Sequence, residues 1–200
     1  MISSSGNKTI KIKMPKKEIR VIGIDDSPFN KFKDKKVIVV GVVMRGGLYV
    51  DGVLSTKVSV DGNDSTKKII NMINKSKFKP QLQCIFLDGI AVGGFNVMDV
   101  QELNKKTSLP VIAVIRKNPD IQKIKNTLLK INKKEKIKLI EKAGKAVQIN
   151  NIFVQIAGIK IEKAKEILDI VCTRSSIPES LRLAHIIAAG IVVGGIKGKA

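Results

Sequence analysis

Between Arg20 and Val60 the chain holds three runs rich in Val and Ile: Arg20 to Asp25, Lys36 to Met44 and Leu48 to Val60. β-Branched residues favour extended backbone, and Arg45-Gly46-Gly47 makes a short turn, so three consecutive strands in a meander are predicted. From Ser65 to Lys75 the apolar positions Ile69, Ile70 and Ile73 switch to helical spacing, with Asp64 or Ser65 as N-cap. An apolar run from Leu82 to Leu87, a glycine-rich turn, a helix around Val97 to Lys106 and the run Pro110 to Ile115 then make a parallel βαβ unit. Lys117 to Ile140 carries Ile and Leu every three to four residues among lysines, the pattern of one or two surface helices. A possible strand at Ile152 to Ile156 precedes an amphipathic helix at Ile161 to Val171, and Pro178-Glu179 opens another helix that carries His185. This order predicts an α/β fold with a mixed five-stranded sheet, three antiparallel strands and then parallel ones, and helices on both faces.

The 200 residues, 44% of them apolar, suffice for one sizeable core. A basic N-terminal tail at 1–18 and a single domain at 19–200 are expected. Ile186 to Ile196, the longest apolar stretch, is about half the ~20 residues of a spanning helix. Met1 to Lys17 lacks the apolar core of a secretory signal. Cys84 and Cys172 lie far apart with no Cys-x-x-Cys spacing, which fits reduced, packed thiols better than redox or zinc chemistry. A cytoplasmic protein follows. Lys and Arg number 37 against 17 Asp and Glu, a net charge of +20, so anionic partners are concentrated at the surface and nucleic acid is the first candidate. The excess is nearly all Lys, also a hyperthermophile habit.

Against that charge, two acidic stretches follow apolar runs: Gly23-Ile24-Asp25-Asp26 and Phe86-Leu87-Asp88-Gly89. Ligands of open α/β sheets bind beyond the carboxyl ends of the parallel strands, and strands ending at Asp25 and Asp88, if neighbours, bring the two carboxylates together. Two such acids repel unless a cation lies between them or solvent surrounds them, and Mg²⁺ with a substrate phosphate satisfies that need. The competing reading is that Asp25, Asp26 and Asp88 only cap turns. The single histidine, His185, is a packed or capping residue unless it lies beside the aspartates, where it would suit proton transfer or phosphate contact.

Five segments together resemble successive blocks of endonuclease V: Val21 to Asp25, Tyr49-Val50-Asp51-Gly52-Val53-Leu54-Ser55, Phe86 to Gly89, Pro110 to Val114 and Pro178-Glu179-Ser180-Leu181-Arg182-Leu183-Ala184-His185. Val60-Asp61-Gly62-Asn63-Asp64-Ser65-Thr66 is more similar to an archaeal branch named endonuclease dU. The resemblance spans Arg20 to Ala189 and implies a ribonuclease H-like fold with Mg²⁺- or Mn²⁺-dependent nicking of DNA near deaminated bases, uracil or hypoxanthine, in DNA repair. It implies Asp25 and Asp88 as metal carboxylates, His185 as the active-site histidine, and Gly89 in a pocket for the flipped base, with Phe95 as a stacking candidate or else a core residue.

Departures accompany the matches. The metal-site glutamate of the family aligns with Val58, so Asp61, or else Asp64, is the candidate to complete the shell, unless each only caps the helix. The catalytic lysine aligns with Arg116, with Lys117 beside it, and of the strand-separating wedge only Tyr49 survives. Lys57, Lys117 and Arg182 are candidate nucleic-acid contacts, and RNA is a second possible substrate. Val58 also makes a catalytically reduced nucleic-acid-binding protein credible. Nucleotide hydrolysis ranks last, since no G-x-x-x-x-G-K-[ST] sequence is present.

Overall fold

The computed structural model describes residues 16–194. Most of the basic tail expected at 1–18 lies outside them. The meander is β1 (Arg20–Asp26), β2 (Lys36–Arg45) and β3 (Tyr49–Ser59), followed by α1 (Ser65–Asn74). Next come β4 (Cys84–Asp88), a small hairpin of β5 (Ala91–Val92) and β6 (Asn96–Val97), α2 (Val100–Thr107) and β7 (Val111–Ile115). The lysine-rich stretch forms two helices, α3 (Ile121–Lys130) and α4 (Glu135–Lys142), because Asn132 at φ +56° breaks the run between them. The described residues close with β8 (Val147–Ile149), β9 (Ile152–Ala157), α5 (Ile161–Val171) and α6 (Glu179–Val193).

Among the described residues the main sheet has the order β3-β2-β1-β4-β7-β9-β8, so it is seven-stranded rather than five-stranded. β1, β4 and β7 are parallel neighbours, while β2, β3, β9 and β8 extend the sheet antiparallel. The difference arises at the C-terminal side, where β9 turns back along β7 and the three-residue β8 joins it. A run that short carries no readable alternation.

β1, β4 and β7 are buried almost end to end, which explains their unbroken apolar runs. Alternate residues feed two cores. Ile22, Ile24, Ile85 and Leu87 pack with Ile69 and Ile73 of α1 and Leu103 of α2, whereas Val21, Phe86 and Ile112 pack with Ile167 of α5 and Leu181 of α6. Helices therefore cover both faces, as expected. Among the described residues no helix is long and apolar enough to cross a membrane.

Candidate active site

The pleat decides which acids meet. Val21 and Phe86 face α5 and α6, so Gly23, Asp25 and Asp88 project from the same face, and Arg116 follows two residues after Val114, which faces that side as well. Ile24 pairs with Leu87, so Asp25 and Asp88 come next on adjacent parallel strands, whose backbones run about 4.8 Å apart. Asp26 projects to the opposite face, where its carboxylate accepts from the Gly93 amide at 2.9 Å.

α6 reaches this end of the sheet by pressing on Gly23. A Cβ at that position would overlap the Ser180 backbone and the Leu181 amide nitrogen, so only glycine lets the helix lie this close. The approach sets the Nδ1 of His185 3.0 Å from Asp25 Oδ2. Asp25 Oδ1 accepts the Asp26 amide at 2.8 Å. From β7, Arg116 donates to Asp88 at 3.2 Å while remaining half-exposed. Asp25, Asp88, His185 and Arg116 thus gather at one place, from positions up to 160 residues apart.

The electrostatics mark the aspartates as uncomfortable. Asp25 is 6% exposed, and burial, followed by the charges of Asp88 and Asp26, pushes its carboxyl up to about 6. Asp26 is also raised, chiefly by burial. Hard oxygen donors, Asp25 buried and Asp88 partly so, whose mutual repulsion a divalent cation would relieve suit Mg²⁺ or Mn²⁺. Two carboxylates are all that converge: among the described residues no three His, Cys, Asp or Glu side chains form a group able to hold a metal.

The other candidates divide. Asp61 does not join Asp25 and Asp88, because its carboxylate accepts the Phe95 amide at 2.7 Å and its own amide donates to Gly93. Asp64 accepts from the Ser59 amide and hydroxyl and from Asn96, which holds its carboxyl below the usual range; it makes no side-chain cap for α1. Val58 is buried on the α1 face, opposite to Asp25 and Asp88. Tyr49 lies at the wrong end of the sheet: it pairs with Arg45, which pairs with Arg20, five residues or about 17 Å along β1 from Asp25. A wedge role beside the aspartates is therefore not built into this fold.

Gly89 takes φ +73° with nothing within 4 Å of where a Cβ would stand, so its glycine answers to backbone conformation and the space beside it is open. Phe95 is half-buried and packs against the cluster of Val97, Leu128 and Ile140. Lys57 is exposed on edge strand β3, two strands from Asp25, and Lys117 is exposed after β7. Arg182 grips the buried Glu179 through its Nε at 2.9 and 3.0 Å and its Nη2 at 2.5 Å. Cys84 is buried and its thiol pushed up by burial, while burial and then Asp169 and Glu179 push Cys172 up to about 12; neither is poised as a nucleophile.

Sequence reasoning passed over Asp26, Glu179 and Lys136 as site residues. Lys136 is buried, and its ammonium donates to the carbonyls of Asp61, Gly62 and Phe95, pinning the β5–β6 hairpin. Its one legible signal was negative: Lys136 sits where α4 should present an apolar residue.

Comparison with known proteins agrees with this architecture. A UPF0215 protein of Methanothermobacter thermautotrophicus is 48% identical over 190 residues, 92% of this chain and 93% of that protein. The crystal structure of a protein of unknown function from Archaeoglobus fulgidus, 38% identical, superposes with a TM-score of 0.83 over 88% of this chain and 99% of that one. Endonuclease V of Ciona intestinalis, solved with a 24mer DNA containing an inosine followed by a ribo-adenosine, shares the fold at TM-score 0.53 and 19% identity, over 83% of this chain and 82% of that one. Bacillus subtilis endonuclease V does so at TM-score 0.56 and 12% identity, over 82% and 77%. The endonuclease dU profile matches residues 17–192, nearly everything that folds around Asp25 and Asp88, and the chain belongs to the endonuclease dU family.

Proposed function

We propose that this protein is a ribonuclease H-like, Mg²⁺- or Mn²⁺-dependent endonuclease that nicks DNA near deaminated bases, uracil or hypoxanthine, in DNA repair. The observation that carries this reading is the pairing of Asp25 with Asp88 on one face at the carboxyl ends of parallel strands, with His185 against Asp25. Asp25 and Asp88 would hold the cation, with water and phosphate oxygens as its other ligands, since Mg²⁺ usually keeps several waters. When bound, the cation supplies Lewis acidity and charge neutralisation at a phosphodiester.

The chain's own groups do the rest. His185 has its Nδ1 committed to Asp25, which leaves Nε2 as the ring nitrogen for a phosphate oxygen or a transferred proton. Arg116 exchanges its contact with Asp88 for the phosphate charge. The open space beside Gly89 would receive an extruded base, with Phe95, in the turn between β5 and β6, as a candidate surface for it. Lys57, Lys117 and Arg182 would contact flanking phosphates, in DNA and, if it is a substrate, in RNA.

A second reading has its own observation. With Asp61 and Asp64 engaged elsewhere and Val58 in the core, a catalytically reduced nucleic-acid-binding protein of the same fold is the alternative. Labelled oligonucleotides carrying uracil, hypoxanthine, mismatches or flaps, incubated with Mg²⁺, Mn²⁺ or EDTA, separate the two. Metal-dependent nicking that vanishes in Asp88→Asn while binding survives supports the nuclease; tight binding without cleavage in any metal supports the alternative.

A further inference from the structure

The chain contains five arginines among its 37 basic residues, and their placement is not random. Arg20 and Arg45 both bind Asp51. The remaining three, Arg116, Arg174 and Arg182, line one cavity of about 260 Å³ together with Ser175 and Ile177. Lysine supplies the general positive field of this surface, whereas guanidinium appears where planar, forked donors matter. The cavity falls below the ~300–1,000 Å³ of pockets for drug-sized ligands, yet a phosphate and a few waters of ~30 Å³ each fit.

From these observations we infer that the cavity is a phosphodiester subsite, one that grips a nucleic-acid backbone phosphate beside the bond facing Asp25 and Asp88. The inference rests on the nucleic-acid reading of the preceding section and adds Arg174 to it. Arg116 joins the two places, since it lines the cavity and also touches Asp88 at 3.2 Å. The acids here are Glu179 and Asp88, and neither cancels the field. Glu179 is 4% exposed and spends its carboxylate on both Nε and Nη2 of Arg182, at 2.5 to 3.0 Å, fixing that guanidinium in place with its Nη1 turned to neither carboxylate oxygen. Asp88 engages one terminal nitrogen of Arg116. Arg174 lines the cavity, is 78% exposed and comes no nearer than 3.9 Å to Glu179, so its guanidinium is open to solvent and weakly paired. Three guanidinium groups thus meet two carboxylates that are already committed.

The test uses the full chain in EDTA, where cleavage plays no part. Anisotropy of a labelled uracil-containing duplex is followed between ~50 and ~200 mM salt, with log affinity plotted against log salt. Arg174→Gln should weaken binding several-fold at low salt and flatten the slope by about one phosphate contact, ~0.9. Arg174→Lys should restore the slope, because it restores the charge, but only part of the affinity, because it lacks the fork. An unchanged slope and affinity in Arg174→Gln overturns the inference, as does failure of the parent to bind the duplex. Phosphorus NMR broadening of inorganic phosphate by the parent and not by Arg174→Gln, alongside that unchanged slope, would reassign the cavity to a free phosphate compound and overturn it too. The nuclease reading stands or falls separately on nicking by the parent and Asp88→Asn: a flattened slope in a chain that nicks nothing keeps the subsite and sinks the nuclease.

Discussion

Two sets of carboxylates stand near the carboxyl end of β1, on opposite faces of the sheet, and their surroundings are opposite in kind. On the α1 face, Asp64 accepts from two groups of Ser59 and from Asn96, Asp61 accepts the Phe95 amide, and Lys133 and Lys136 close over the loop. On the α6 face, Asp25 is buried beside Asp88 with only its neighbour's amide and a histidine ring for company. The outcome is legible in their titration, Asp64 held down by hydrogen bonds and Asp25 pushed up to about 6. Identical chemistry is structural where donors saturate it and left with unrelieved charge where they do not, which is the opening the proposed cation would fill. Asp26 bridges the two, reaching Gly93 on one face while its charge adds to the burden of Asp25 on the other.

The largest effect should separate the faces outright. Asp25→Asn should lose nicking by at least ~10²-fold, more than the ~10–100-fold typical of residues that merely support a ligand. Asp61→Asn, measured in parallel, should retain most of the rate; an equal loss in both would return Asp61 to the reacting centre and break the contrast.

Stability sharpens it next. Between the ordinary carboxyl value and about 6 the folded chain holds more protons at Asp25 than the unfolded one, so stability falls as pH rises through that window. In EDTA at pH 8, Asp25→Asn should therefore gain up to about 3 kcal/mol over the parent, the gain fading as pH falls from ~6 to ~4 and absent below that. Urea titrations at both pH values check the sign.

Gly23→Ala attacks the geometry that makes the α6 face special. Forcing a methyl against Ser180 and Leu181 should cost about 1–3 kcal/mol and draw His185 away from Asp25, visible as a lower Tm with reduced nicking. The smallest effect belongs to the saturated face. Asp64→Asn keeps the shape and part of the bonding to Ser59 and Asn96, so a loss of about 1 kcal/mol with an unchanged nicking rate per folded molecule is expected from thermal melts and assays.

Much of this was readable along the chain, because its signals are local. Apolar runs rich in β-branched residues placed β1, β2, β3, β4 and β7, helical spacing placed α1 and α5, and an acid closing each buried run put Asp25 and Asp88 at strand ends. β8 escaped because three residues show no period, and the β5–β6 hairpin because two-residue strands look like the glycine-rich turn they flank. What the residues could not declare was who meets whom across the fold. The strand order set β1 between β2 and β4, the register sent Tyr49 to the far end, and the loop contacts of Asp61 and Asp64 withdrew them from the aspartate pair. Likewise, three arginines from separate segments share a cavity only because α6 can settle onto Gly23. Periodicity encodes which face a side chain takes, whereas its neighbours follow from long-range packing, and at a site of charged groups the neighbours decide the chemistry.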